Sequence, residues 1–247
     1  MLEVRGLSLR YPNGKEALSA FDVVVRPGQL VIVLGGNGSG KTTLLRCIAR
    51  LLDPSGGEIR VNGTDLSRLS GKELRRARLQ LAVISQHAAL VRRRTVLANV
   101  ATGALGRCHD LWTALGGLPA SELAAARSRL AEVGLAELAH QRAGTLSGGQ
   151  SQRVAIARAL AQQPRVLLAD EPVASLDPEA AEEIMRLLRR LAAEENLAVL
   201  CVLHQVELAY RYADRVVGIR DGRVAFDLPR AEVSREAVRQ LYLSEAA

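Results

Sequence analysis

Gly35-Gly36-Asn37-Gly38-Ser39-Gly40-Lys41-Thr42 decides how the rest of this chain is read. It follows the apolar run Leu30 to Leu34 and opens a stretch, Thr42 to Leu52, with the composition of a helix. Buried strand, glycine loop and helix, in that order, is the setting in which the pattern G-x-x-x-x-G-K-[ST] holds phosphates. Glycines let successive backbone N–H groups converge with no Cβ in the way, and the positive end of the helix adds to them. Lys41 is placed to neutralise charge between terminal phosphates, and the Thr42 hydroxyl to meet Mg²⁺. These eight residues, with Thr43 behind them, are the candidate nucleotide site. Alone, the loop implies a nucleotide and Mg²⁺ and no particular kind of P-loop protein.

Further along, Val166-Leu167-Leu168-Ala169 is an apolar strand that runs into Asp170-Glu171. A carboxylate at the end of a buried strand lying beside the loop's own strand reaches Mg²⁺. Asp170 is then the metal candidate, and Glu171 the base or orienter for an attacking water. An acidic pair after a strand also serves as a helix cap or turn. Upstream of it, Leu146-Ser147-Gly148-Gly149-Gln150 opens another helix. Ser147 is a good N-cap, and the two glycines leave N–H groups bare, an anion site with no room for bulk. The same string also fits an ordinary serine-capped helix start.

Strands are expected at Leu2 to Leu9, Ala20 to Arg26, Leu30 to Leu34, Glu58 to Val61 and Leu81 to Ile84. From there to about residue 145 the chain turns rich in Ala, Leu and Arg, and Ser121 can cap a helix with Leu123, Ala126, Leu130 and Val133 at helical spacing. Then follow a helix (Gly148 to Gln163), a strand (Val166 to Ala169), a helix (Glu179 to Glu194) and a strand (Ala198 to Leu203). Asp177 is placed to cap the second of these helices, with Pro178 at its first position. Alternating strands and helices imply a parallel sheet. Arg215 to Phe226 reads as a hairpin turning at Asp221-Gly222, and a short helix follows from Ala231.

The chain has 247 residues, room for one large domain or two small ones. With 48 % apolar and 24 % charged residues it has the composition of a globular domain with a sizeable core. Aromatics are only 3 %, so Ala, Leu and Val must build that core. The net charge of +7 permits anionic partners. The arginines are scattered and not interleaved with aromatics, which argues against a nucleic-acid platform. Cys47, Cys108 and Cys201 are odd in number and far apart; Cys47 and Cys201 lie in apolar stretches and read as core thiols of a reducing, cytoplasmic compartment. No stretch approaches the ~20 apolar residues of a membrane span. A role in transport therefore needs a separate membrane partner.

Taken together, these strings resemble the ABC ATPase family across essentially the whole chain. Leu146 to Gln150 resembles its signature, Asp170-Glu171-Pro172 its acidic motif and Ser175-Leu176-Asp177 its D-loop. The resemblance implies that Gln86 contacts Mg²⁺ and water, that His204 senses the γ-phosphate and that Tyr11 stacks on adenine. It implies a P-loop NTPase α/β fold: a mainly parallel core sheet, an N-terminal antiparallel β subdomain, and a helical signature subdomain. That is one domain over 1–247, with a RecA-like core and β subdomain at about 1–86 and 164–247, and the helical part at about 87–163. It implies a head-to-tail homodimer in which Ser147, Gly148, Gly149, Gln150 and Asp177 of one copy meet ATP held by the other. One P-loop and one signature per chain fit that arrangement.

A finer resemblance is to the ATPase subfamily of phosphonate importers. Ala161-Gln162-Gln163-Pro164, Asp170 to Pro178, and Leu203-His204-Gln205-Val206-Glu207-Leu208-Ala209 with Tyr212 to Arg215 carry it. Arg107 to Leu118, with Leu111-Trp112, resembles that subfamily's insertion. The implied partners are two transmembrane permease subunits and a periplasmic or extracellular solute-binding protein, with the ATPase on the cytoplasmic face of a bacterial inner membrane. His87-Ala88-Ala89 and Arg92-Arg93-Arg94 depart from the subfamily pattern in the stretch expected to face the permease. An importer ATPase for another solute, or an accessory ATPase of a phosphonate-degrading complex, fits the same motifs.

Overall fold

A computed structural model of the chain describes residues 1–108 and 117–242. Leu111-Trp112 lies outside the described residues. In chain order the elements are β1 (Leu2–Arg10), β2 (Glu16–Val25), β3 (Leu30–Leu34), α1 (Lys41–Ile48), β4 (Gly56–Val61), β5 (Thr64–Asp65), α2 (Gly71–Ala77) and β6 (Leu81–Ile84). Then come α3 (Val96–Ala101), α4 (Ala120–Glu132), α5 (Gly148–Ala161), β7 (Val166–Asp170), α6 (Pro178–Glu194), β8 (Ala198–Val202), α7 (Val206–Tyr212), β9 (Arg215–Arg220), β10 (Arg223–Pro229) and α8 (Arg235–Tyr242).

Two sheets form among the described residues. One is six-stranded, in the order β10-β9-β3-β8-β7-β6, and is parallel except for β10. The other has the order β2-β1-β4-β5 and is antiparallel. The central strands of the large sheet are apolar at every position because both of its faces are covered. Their side chains alternate between two cores. Leu30, Ile32, Leu34, Leu167, Val199 and Cys201 face a core shared with α3 to α6. Val31, Val33, Leu168, Leu200 and Val202 face one shared with α1 and the antiparallel sheet. Each such buried side chain contributes about 1.5–3 kcal/mol, so the strand ends that carry the polar site residues are firmly held.

Most elements fall where the pattern places them, with four corrections. Helix α1 stops at Ile48, short of Leu52, because Arg50 turns the backbone left-handed (φ +52°). Ser121 does not cap α4: the helix begins at Ala120, and the Pro119 carbonyl accepts from the Glu122 and Leu123 amides. Strand β2 begins at Glu16, before Ala20. And β7 is not the neighbour of β3, since β8 stands between them. Asp177 does cap α6, accepting from the Ala180 amide at 2.9 Å, with Pro178 at the first position. Cys47 and Cys201 are buried thiols, and burial pushes Cys47 up to about 11.

The β9–β10 hairpin does more than close the sheet. Asp221 and Gly222 both take positive φ, the geometry of a two-residue hairpin turn. The Gly222 amide donates to the Ser39 carbonyl at 3.0 Å, and the Gly222 carbonyl accepts from the Ser19 amide at 3.0 Å. The turn is thus tied both to the glycine loop and to β2.

Candidate active site

The glycine loop leaves β3 at Gly35 and enters α1 at Lys41. Its shape is fixed by close backbone approaches. A Cβ on Gly35 would lie 2.4 Å from the Ile219 carbonyl oxygen. One on Gly40, whose φ is +107°, would lie 2.6 Å from the Ala17 carbonyl oxygen. The loop is therefore wedged between β9 and β2 with room for backbone only. Lys41 is 5 % exposed, and its Nζ donates to the Gly35 and Gly36 carbonyls at 2.8 and 2.7 Å. The ammonium is thus tied to the backbone of the loop itself. Ser39 Oγ is buried and makes no hydrogen bond among the described residues. A buried hydroxyl without a partner is uncommon, and a phosphate oxygen would give it one.

Across the sheet, β7 and β8 end at Asp170 and just before His204. Thr42 Oγ1 donates to Asp170 Oδ1 at 3.3 Å, so the intervening β8 does not keep them apart. Burial raises the Asp170 carboxyl above its usual range, and neighbouring Glu171 adds to this. The Thr42 hydrogen bond, Arg46 and Lys41 oppose the rise. A carboxylate and a hydroxyl this close are hard oxygen donors of the kind Mg²⁺ takes while keeping several waters.

Glu171 sits in the left-handed region, at φ +50°. That backbone costs a side-chain-bearing residue about 1–3 kcal/mol and concentrates at functional sites. Here it is held because the Glu171 amide still donates to Val202 of β8 at 3.1 Å while its carbonyl accepts from Ala174. The outcome is that Glu171 turns away from the strand direction and its Oε1 lies 2.6 Å from His204 Nε2. Tyr11, Asn37, Gly38, Gly40, Lys41, Thr42, Thr43, Glu171 and His204 line one cleft of about 320 Å³. Tyr11 is pinned in it by a 3.2 Å contact between its hydroxyl and Thr43 Oγ1. Lys15 and Ala17 line the same cleft and were not legible as site residues. Lys15 follows a Pro-Asn-Gly turn, and nothing in its surroundings separates it from any surface lysine.

Other candidates lie elsewhere. Gln86 is exposed in the bend after β6 and does not line the cleft. Ser147, Gly148, Gly149 and Gln150 form the tip of α5, and Asp177 the cap of α6; none lines the cleft. The tip is a reciprocal cap: Ser147 Oγ accepts from the Gln150 amide at 3.2 Å, and Gln150 Oε1 accepts from the Ser147 amide at 3.0 Å. Its glycines have a structural reason besides anion access. A Cβ on Gly148 would lie 3.2 Å from Leu176 Cδ2, and one on Gly149 would lie 3.1 Å from Ala180 Cβ.

A parallel sheet with a phosphate loop at one strand end and an acid–histidine pair at the ends of nearby strands defines a P-loop nucleotide-binding cassette. The sequence comparisons agree. The ABC transporter family model matches residues 18–174. The chain is 48 % identical over 227 residues to the phosphonates import ATP-binding protein PhnC of Frankia casuarinae, covering 92 % of this chain and 90 % of that one. It is 45 % identical over 244 residues to the PhnC of Thiobacillus denitrificans, covering 99 % and 93 %. Among solved structures, the ATP-binding cassette MJ0796, dimeric in a post-hydrolysis state with ADP and Pi, superposes with a TM-score of 0.80 at 30 % identity over 93 % of this chain and 99 % of that one. CbiO1 of Clostridium perfringens, part of the ABC transporter complex cbiONQ, gives 0.84 at 30 % identity over 98 % and 94 %. This chain belongs to the ABC transporter family.

Gly35→Ala tests the wedge. The added methyl meets the Ile219 backbone, which has no side-chain freedom with which to yield. Calorimetric ATP titration should show affinity reduced roughly tenfold or more, the equivalent of about 1.4 kcal/mol of loop strain, with native circular dichroism. Unchanged affinity would mean that the loop is not held as described.

Proposed function

We propose that this chain is the ATP-hydrolysing subunit of a phosphonate importer. Two copies would work beneath two permease subunits on the cytoplasmic face of a bacterial membrane, with a solute-binding protein delivering the substrate. The observation that carries the ATPase reading is the single cleft with the Lys41 loop on one side and the Glu171–His204 pair on the other. The solute class rests on similarity to proteins named for phosphonate import, which spans nearly the full chain. No helix among the described residues is long and apolar enough to cross a membrane, and the proposal assigns the pore to other chains.

In this reading Tyr11 stacks on the adenine and Gly35 to Thr43 hold the phosphates. Lys41 draws charge off the transferring phosphoryl group. Thr42 and Asp170, with Gln86, would hold Mg²⁺, which would supply neutralisation of charge on the terminal phosphates. Glu171 accepts the proton of the attacking water at a carboxylate oxygen. His204, already within 2.6 Å of Glu171, fixes that carboxylate's orientation and touches the γ-phosphate. Ser147, Gly148, Gly149, Gln150 and Asp177 act on the nucleotide of the second copy. The domain division follows: residues of about 87–163 form a helical part that presents Ser147, and the remainder holds ATP.

Glu171→Gln keeps the shape and removes the base. Tight ATP binding should survive while kcat falls by about 10²–10⁴-fold. A near-native steady-state rate would remove Glu171 from the chemistry. The solute is tested in the cell of origin. Deleting the gene should abolish growth on a phosphonate as sole phosphorus source and leave growth on phosphate intact. Undiminished uptake of labelled phosphonate would reject that assignment.

A further inference from the structure

Away from the nucleotide cleft, the end of α4, one side of α5 and one face of α6 enclose a cavity of about 430 Å³. That volume falls in the range of small-molecule sites. On α6, Glu183, Arg186, Leu187 and Arg190 recur at helical spacing and so share one face. Arg153 enters from α5, and Glu132 closes the end of α4. None of these residues lines the nucleotide cleft.

The wall of the cavity is rich in donors and poor in free acceptors. Three guanidiniums line it against two carboxylates, and both carboxylates are engaged. Glu132 is paired at 2.7 Å with Arg129, which does not line the cavity and also holds Glu195. Glu183 is paired with Arg153 at 3.3 Å. Arg190 donates to the Glu132 carbonyl at 2.6 Å, and its carboxylate partner Glu194 lies 3.9 Å away with 70 % of its side chain exposed. Arg186 donates to the Tyr212 hydroxyl, an uncharged partner. Arg153 Nε is buried and makes no hydrogen bond among the described residues. An arginine carries five N–H donors and no acceptor, so all three have donors left over.

A wall of this kind calls for an occupant that only accepts and that carries negative charge. A phosphoryl dianion does both, and its oxygens match the planar fork of a guanidinium two at a time. The wall also has an apolar flank. Val133 and Leu187, both buried, line it beside the arginines.

We propose that this cavity is a second anion site, in which Arg153, Arg186 and Arg190 bind a phosphoryl dianion, R–PO₃²⁻. Inorganic phosphate and a small alkylphosphonate share that chemistry, and Val133 and Leu187 would take the alkyl group of the latter. The bound anion would tie Arg153 of α5 to the two arginines of α6. Neither the residues nor the ligand class depends on the reading of the nucleotide cleft.

Calorimetric titration with inorganic phosphate and with methylphosphonate tests the site. Lys41→Ala protein is used, so that the glycine loop does not compete for the anion. Saturable binding should be seen, and Arg186→Gln and Arg190→Gln should each weaken it roughly tenfold with native circular dichroism. In protein with Lys41 intact, the same binding should persist when ADP fills the loop. Binding that neither arginine substitution weakens, binding that chloride matches at equal ionic strength, or no binding of either anion overturns the site. Within a positive result, the tighter of the two anions identifies the source: methylphosphonate points to the phosphonate class, phosphate to the free ion. If Lys41→Ala leaves all phosphate binding as it was, the loop's role fails, and the two arginine variants still decide the cavity.

Discussion

The contact on which the site depends is the buried ammonium of Lys41 against the Gly35 and Gly36 carbonyls. A charge taken out of water is tolerated only when its donors are answered. Here the Gly35 and Gly36 carbonyls accept from it, so the shape of the loop is set by its own lysine. Ile219 and Ala17 press on Gly35 and Gly40 from either side, and the Gly222 turn hangs from the Ser39 carbonyl. The cradle is thus built from three strands distant in sequence. This is why the small antiparallel sheet and the terminal hairpin belong to the catalytic unit and are not accessory pieces.

The large sheet does the remaining work of placement. Because both faces of β3, β7 and β8 are buried, their ends move little relative to one another, and Thr42 and Asp170 meet across the width of β8. The left-handed backbone at Glu171 is a strained link, and the ladder bond to Val202 holds it. The strain aims the carboxylate at His204 and the cleft. A relaxed continuation of the strand would carry it past them.

Much of this is legible in the sequence. Leu30 to Leu34 announces a strand buried on both faces, and the loop after it has few other uses. The β9–β10 turn follows from Asp221-Gly222. What escaped did so for physical reasons. Helices α2 and α3 are too short to display a 3.6-residue period, and α1 ends early at a left-handed arginine that no pattern marks. Ser121 looked like a cap, but Pro119 had already set the helix start. Strand order is not encoded locally, so the intervening β8 was missed. Lys15 carries no motif. Gln86 lies just past the end of β6, outside the cleft, and the partners of the backbone on either side of it, Gln152 and Arg158, come some 70 residues later. The signature glycines have in addition a packing reason that the string does not display: a Cβ on either would press on Leu176 or Ala180 of the same chain.

This chain carries a complete cradle and a complete signature tip in different places, and the account holds that ATP joins the cradle of one copy to the tip of another. Light-scattering mass of the Glu171→Gln protein tests that most directly. Mg-ATP should double the mass, and Ser147→Arg should prevent the doubling while leaving nucleotide bound. A protein saturated with Mg-ATP that keeps a single-chain mass, both free and within its membrane assembly, would contradict it.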